Sequence, residues 1–101
     1  MEVSVLDQVR AAAAKRILFL SHAVHQMSRP GRMISPAVIA AGELVEDYPE
    51  DVRGHSCLVF GTGDGGRPIH VVCSPKPDYL AIITAYLPHP DQWSADFKER
   101  K

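Results

Sequence analysis

An α+β domain is the fold this sequence predicts, with N-terminal helices packed on one face of a roughly four-stranded antiparallel sheet. Three observations lead there. Strong helix formers fill the first part of the chain: Leu6 and the run Ala11 to Ala14. Four later runs are rich in Val, Ile, Leu, Phe and Tyr and are bounded by turn residues: 44–48, 56–61, 67–73 and 79–86. The connectors between these runs are short, which suits antiparallel neighbours rather than crossover helices.

The elements follow in order. Residues 5–16 carry Leu6 and Val9 ahead of the alanines and read as a first helix. Ile17-Leu18-Phe19-Leu20 is a short apolar run, either a buried strand or a continuation of the helix; periodicity does not separate the two. Ser21 is a good N-cap for a helix over 22–28, broken by Arg29-Pro30-Gly31-Arg32. Ser35-Pro36 opens another helix, which stops before Gly42. Gly63 to Gly66 form the hairpin turn between the second and third strands. Pro88-His89-Pro90 ends the last strand, and residues 93–101 read as a short charged helix or a frayed tail.

Composition narrows the function classes. A chain of 101 residues, 46% hydrophobic, is sized for one domain with one core. Its net charge of −1 gives no global signature for nucleic acid, so any RNA contact must come from a local patch. Cys57 and Cys73 form no CxxC pair and no disulfide framework. No signal peptide and no apolar run of ~20 residues is visible, so the expected setting is cytoplasmic, with free thiols. Gly61-x-Gly63-x-x-Gly66 has the dinucleotide pattern, but it precedes a strand instead of a helix, which excludes that reading.

Strand parity assigns the side chains. If Gly63 pairs with Arg67, then Cys57 lies opposite Cys73 and Phe60 opposite His70. If Ser74 pairs with Leu80, His70 lies opposite Thr84. One face then gathers Cys57, Val59, Gly61, Ile69, Val71, Cys73, Ala81, Ile83 and Ala85, to be covered by helices. The other gathers Leu58, Phe60, His70, Val72, Ile82, Thr84 and Tyr86. His70, Thr84 and Tyr86 on one face are either a satisfied core network or a site. Histidine suits proton transfer near neutral pH. Arg29 and Arg32 flank a tight turn, and arginine grips phosphate through a planar fork; Arg67, Lys76 and Lys15 are candidates to extend such a patch. His22 and His25 are neighbours on a helix surface but lack the glutamate and spacing of a zinc motif, so no metal and no cofactor is expected. Trp93 reads as a lid on the core edge.

The ordered set Ser21-His22-Ala23 with Met27 and Arg29, Ile34-Ser35, Gly42-Glu43, Arg67-Pro68-Ile69-His70-Val71-Val72, and Ile83-Thr84-Ala85-Tyr86-Leu87-Pro88 with Trp93 resembles the small bacterial domain of unknown function 4258. The resemblance makes 21–93 a family-like core within a single domain 1–101, preceded by a helical extension 1–16 and followed by a tail 94–101. That family is in turn similar to RelE-like ribonuclease toxins of toxin–antitoxin systems. The resemblance implies a metal-independent endoribonuclease acting on mRNA, often on the ribosome, and a zinc-finger or DNA-binding antitoxin. It places His22, His70, Thr84 and Tyr86 in catalysis and Arg29 or Arg32 at the family arginine; these two arginines, with Arg67 from the candidate patch, are the residues expected on RNA phosphate. The loop from Met27 to Ile34 is longer than the family spacing, so Arg29 and Arg32 compete for the family arginine's place. The alternative is a non-catalytic protein- or ligand-binding module that uses the His70 face.

Overall fold

The computed structural model describes residues 4–20, 36–52, 54–63 and 66–101. Helix α1 spans Val5–Lys15; Ser4 caps it by accepting from the Asp7 amide at 3.1 Å. Strand β1 is Ile17–Phe19 and helix α2 is Pro36–Ala40. Strands β2 (Glu43–Tyr48), β3 (Ser56–Thr62), β4 (Pro68–Pro75) and β5 (Leu80–Tyr86) follow. The helix expected over 22–28 lies outside the described residues.

The sheet has five strands, not four, in the order β1-β5-β4-β3-β2. The addition is β1, which runs parallel to β5 with Ile17 beside Leu80 and Phe19 beside Ile82. The ambiguous run after α1 is therefore a strand. Arg16, in extended backbone, ends the helix and accepts from the Leu80 amide at 2.8 Å, which starts the new pairing. The remaining pairs are antiparallel.

The β3–β4 register matches the sequence reading: Cys57 opposite Cys73 and Phe60 opposite His70. Gly63 donates to the Arg67 carbonyl at 2.7 Å, and Gly66 completes the turn at φ +75°, where glycine carries no Cβ penalty. The β4–β5 register differs. The Lys76 amide bonds the Tyr79 carbonyl at 2.8 Å, so the loop closes one residue tighter and Pro75, not Ser74, faces Leu80. That shift alone would turn every later side chain over. A bulge at Ile83 restores the parity, and beyond it His70 faces Tyr86 while Thr84 faces Val72. Three assignments are corrected as a result. Ile82, with Leu80, packs into the core under the helices, while Ala81 and Ile83, expected there, stand outside that cluster.

The core joins Val5, Val9 and Ala12 of α1 and Val38 and Ile39 of α2 to Val59, Ile69, Val71, Leu80, Ile82 and Ala85 of the sheet. Arg10 and Lys15 tie α1 down by donating to the Gly42 and Pro77 carbonyls, at 3.1 and 2.8 Å. Gly61 lies under α2: a Cβ there would stand 2.5 Å from Val38 Cγ1 and 3.1 Å from the Val38 carbonyl oxygen. Gly61→Ala should lower the urea midpoint at unchanged m-value, by the equivalent of about 1–3 kcal/mol for an overpacked contact. A midpoint equal to wild type would show that α2 is free to move.

Cys57 and Cys73 are fully buried, directly opposed and reduced. The adjoining Cys57 thiol, and then burial, hold the Cys73 thiol well above its ordinary range, so it stays protonated and unreactive. Denatured protein prepared without reductant should titrate two thiols, and native protein almost none. A mass short by two hydrogens would contradict this.

Candidate functional site

The second face of the sheet is covered by the chain's own C-terminus. Residues 88–101 form neither the expected helix nor a frayed tail. They fold back on themselves: Trp93 bridges Arg100, the Ser94 amide bonds the Glu99 carbonyl at 2.7 Å, and Lys101 donates to Gln92 at 3.0 Å. This strap lays Trp93 against His70, with ring centroids 4.4 Å apart and planes at 87°.

His70 is the centre of the face. It is the third residue of β4 and is 0% exposed. Phe60, Tyr86 and Trp93 surround it edge-on. Its Nε2 lies 2.7 Å from the Phe97 carbonyl oxygen, which can only accept, so Nε2 carries the proton. Nδ1 is then the acceptor, and the Tyr86 hydroxyl donates to it at 3.2 Å. Burial holds the His70 pKa below the usual histidine value; the Phe97 carbonyl and Glu46 pull the other way, and Arg100 adds to the depression. Burial also raises Tyr86. The pair is a neutral imidazole on a protonated phenol. Thr84 stands half-buried beyond Val72 on the same side.

A second bulge supplies the rim. Glu43 pairs with Phe60 and Leu44 with Val59, but Glu46 then pairs with Leu58, leaving Val45 as the extra residue. Without it Glu46 would point under the helices. With it, Glu43, Glu46 and Tyr48 all reach the strap side. Arg100 takes Glu46 through two bonds, Nε–Oε2 at 2.7 Å and Nη2–Oε1 at 3.0 Å. Its guanidinium also lies 4.7 Å from the centre of the Trp93 ring. Lys98 pairs with Glu43, and Tyr48 donates to Glu46. Arg100, foremost, holds Glu46 below the usual carboxylate range, while burial and then Glu46 push Tyr48 up to about 12.

His70, Thr84 and Tyr86 therefore share a face, as parity requires. Arg67 does not join them: it is exposed in the turn before β4. Lys15 and Lys76 sit by the opposite end of that strand, roughly 25 Å away at ~3.3 Å per residue. The three cations make no common patch. His22, His25, Arg29 and Arg32 lie outside the described residues. Among the described residues no group of three or more His, Cys, Asp or Glu is placed to hold a metal ion. No helix there is long and apolar enough to cross a membrane. Glu46 and Arg100 were missed by the sequence reading. An unseen bulge aims one, and the other lies 54 residues further along the chain; only the Trp93 to Arg100 run of aromatic and cationic residues hinted that the tail would dock.

Folded His70 binds a proton less readily than unfolded histidine. Below about pH 6.5 the unfolded chain takes up the extra proton, so His70 makes stability fall with pH from there to its folded pKa. Urea midpoints between pH 7.5 and 5 should show that fall, and His70→Gln should flatten it. At pH 7.5 His70→Ala should itself cost about 1–3 kcal/mol, because Phe97 and Tyr86 lose their partner. An unchanged pH slope in the Gln variant would remove His70 as its source.

Neither a curated protein nor a solved structure matches the chain. Residues 19–87 match the family described as domain of unknown function 4258, from the end of β1 through β5. That stretch contains the whole His70, Thr84 and Tyr86 face and stops where the strap begins. The match covers more than half of the chain, and the protein belongs to that family.

Proposed function

We propose that the domain is a toxin-like, metal-independent endoribonuclease of a type II toxin–antitoxin pair, cleaving mRNA by acid–base chemistry on the His70 face. The observation that carries this reading is the hydrogen-bonded pair of His70 Nδ1 and Tyr86 Oη, with Thr84 on the same side. Cleavage of RNA at its own 2′-hydroxyl needs a base for that proton, a donor for the departing 5′-oxygen and a cation for the phosphorane. A neutral imidazole can serve as the base. Tyr86, whose pKa burial raises, keeps its proton for the leaving oxygen. Resemblance to RelE-like toxins adds His22 as a further proton-transfer group and assigns the cation to Arg29 or Arg32. It also suggests a ribosome-bound substrate and a zinc-finger or DNA-binding antitoxin. No metal enters the scheme.

The second reading, a non-catalytic binding module, is favoured by a different observation. In the closed structure His70 is fully buried with both ring nitrogens satisfied inside the protein. The rim of its face is acidic, through Glu43 and Glu46. Such a face suits a peptide that presents an aromatic ring between cationic side chains, as the strap does with Trp93, Lys98 and Arg100.

Cleavage of a single-stranded RNA, with and without ribosomes, separates the two. The ribonuclease reading expects His70→Ala to lower the rate by roughly 10²–10⁴-fold, the range of an acid–base group. Tyr86→Phe, which keeps the ring and its packing, should also slow cleavage, and EDTA should leave the rate unchanged. Wild-type protein that neither cleaves nor binds RNA in either condition, together with a Tyr86→Phe variant that changes only stability, would leave the binding module.

A further inference from the structure

The strap is held to the sheet by side chains and not by a backbone ladder. All backbone hydrogen bonds described for residues 88–101 outside the sheet ladders are internal to it: Gln92 and Trp93 to His89, Phe97 to Ser94, Ser94 to Glu99, and Lys101 to Gln92. None of these reaches a strand. What docks the strap is the Trp93 ring, the bond from His70 Nε2 to the Phe97 carbonyl, and the ion pairs of Lys98 with Glu43 and Arg100 with Glu46. Trp93 is 2% exposed, whereas the side chains of Lys98 and Arg100 are 40% and 61% exposed. Ion pairs that wet contribute little and are screened by salt.

Two further features favour release. Phe97, which presents the carbonyl to His70, sits at φ +60°, in left-handed backbone that a side chain of its kind seldom adopts. The bond from His70 Nε2 to the Phe97 carbonyl helps hold that conformation, and its loss removes the hold. Pro88 and Pro90 flank the junction with β5 and cannot donate to a ladder, so sheet pairing does not run on into the strap.

We infer that residues 88–101 are an autoinhibitory strap. It lifts from the sheet as a unit, before the sheet itself unfolds, and so controls access to the His70, Thr84 and Tyr86 face. Lifting removes the Trp93 ring and the Phe97 carbonyl together. It frees Nε2 of His70 and leaves Glu43 and Glu46 without Lys98 and Arg100. The role in regulating catalysis rests on the ribonuclease reading; the lifting itself does not.

Trp93 is the single tryptophan, so its emission reports the strap alone. In full-length protein, urea should shift Trp93 emission to longer wavelength and raise its quenching by acrylamide at a lower concentration than melts the sheet by far-UV circular dichroism. Salt raised from about 0.01 to about 1 M should move the fluorescence transition further down. Lys98→Ala combined with Arg100→Ala should do the same at low salt, with the circular dichroism transition nearly fixed. Coincident transitions in wild type at every salt concentration would overturn the inference, whether or not the double variant folds. With the strap shown to lift, RNA cleavage that rises in the double variant supports both ideas. Lifting with no cleavage and no RNA binding keeps the strap and ends the ribonuclease reading.

Discussion

A sheet with helices on one side has a second side to hide, and the bond from His70 to the Phe97 carbonyl marks how this chain hides it. Helices α1 and α2 cover one face with aliphatic contacts. The other face carries Leu58, Phe60, His70 and Tyr86 and has no helix described over it. The strap closes it by inserting one indole and offering one carbonyl. An imidazole buried among rings costs stability unless both nitrogens are satisfied. Here the two partners come from elements far apart in sequence, Tyr86 of β5 and Phe97 of the strap. His70 is thus a tie between sheet and strap.

Two one-residue irregularities place the polar side chains. The bulge at Val45 turns Glu46 and Tyr48 toward the strap, and the bulge at Ile83 returns Thr84 and Tyr86 to the side of His70. Each changes which face a side chain serves without adding an element. Together they separate the functions of the two faces. Cys57, Val71, Cys73 and Ile82 fill the dry core beneath the helices. The imidazole, the phenols and the carboxylates collect on the opposite side, where an arginine from the tail meets one of the carboxylates. The same arginine lies over Trp93, so the ion pair and the aromatic anchor are parts of one closure.

Much of this was legible from local pattern. The β3–β4 register followed from a short glycine turn, because a two-residue period admits few alternatives once one pair is fixed. Helix α2 followed from Pro36 and Gly42, since proline presets the first turn and glycine tolerates the close approach after the last. The shared face of His70, Thr84 and Tyr86 came through even though the loop was one residue shorter than expected: the bulge cancelled the slip. Ile82 and Ala81, lying between loop and bulge, felt the slip uncorrected and were assigned to the wrong sides.

The sequence by itself determined the α+β class, the four strands β2 to β5, the opposition of Cys57 to Cys73 and the side of the sheet that His70 takes, because these depend on neighbours in the chain or across a tight turn. Tertiary structure alone decided that Ile17 to Phe19 joins β5 as a parallel strand, that Glu46 faces the strap, and that Trp93 and Phe97 enclose His70. Those outcomes depend on contacts between segments tens of residues apart. Parallel pairing leaves no local turn signal, a bulge is written in no single residue, and a docked tail is held by a surface that exists only once the sheet has formed.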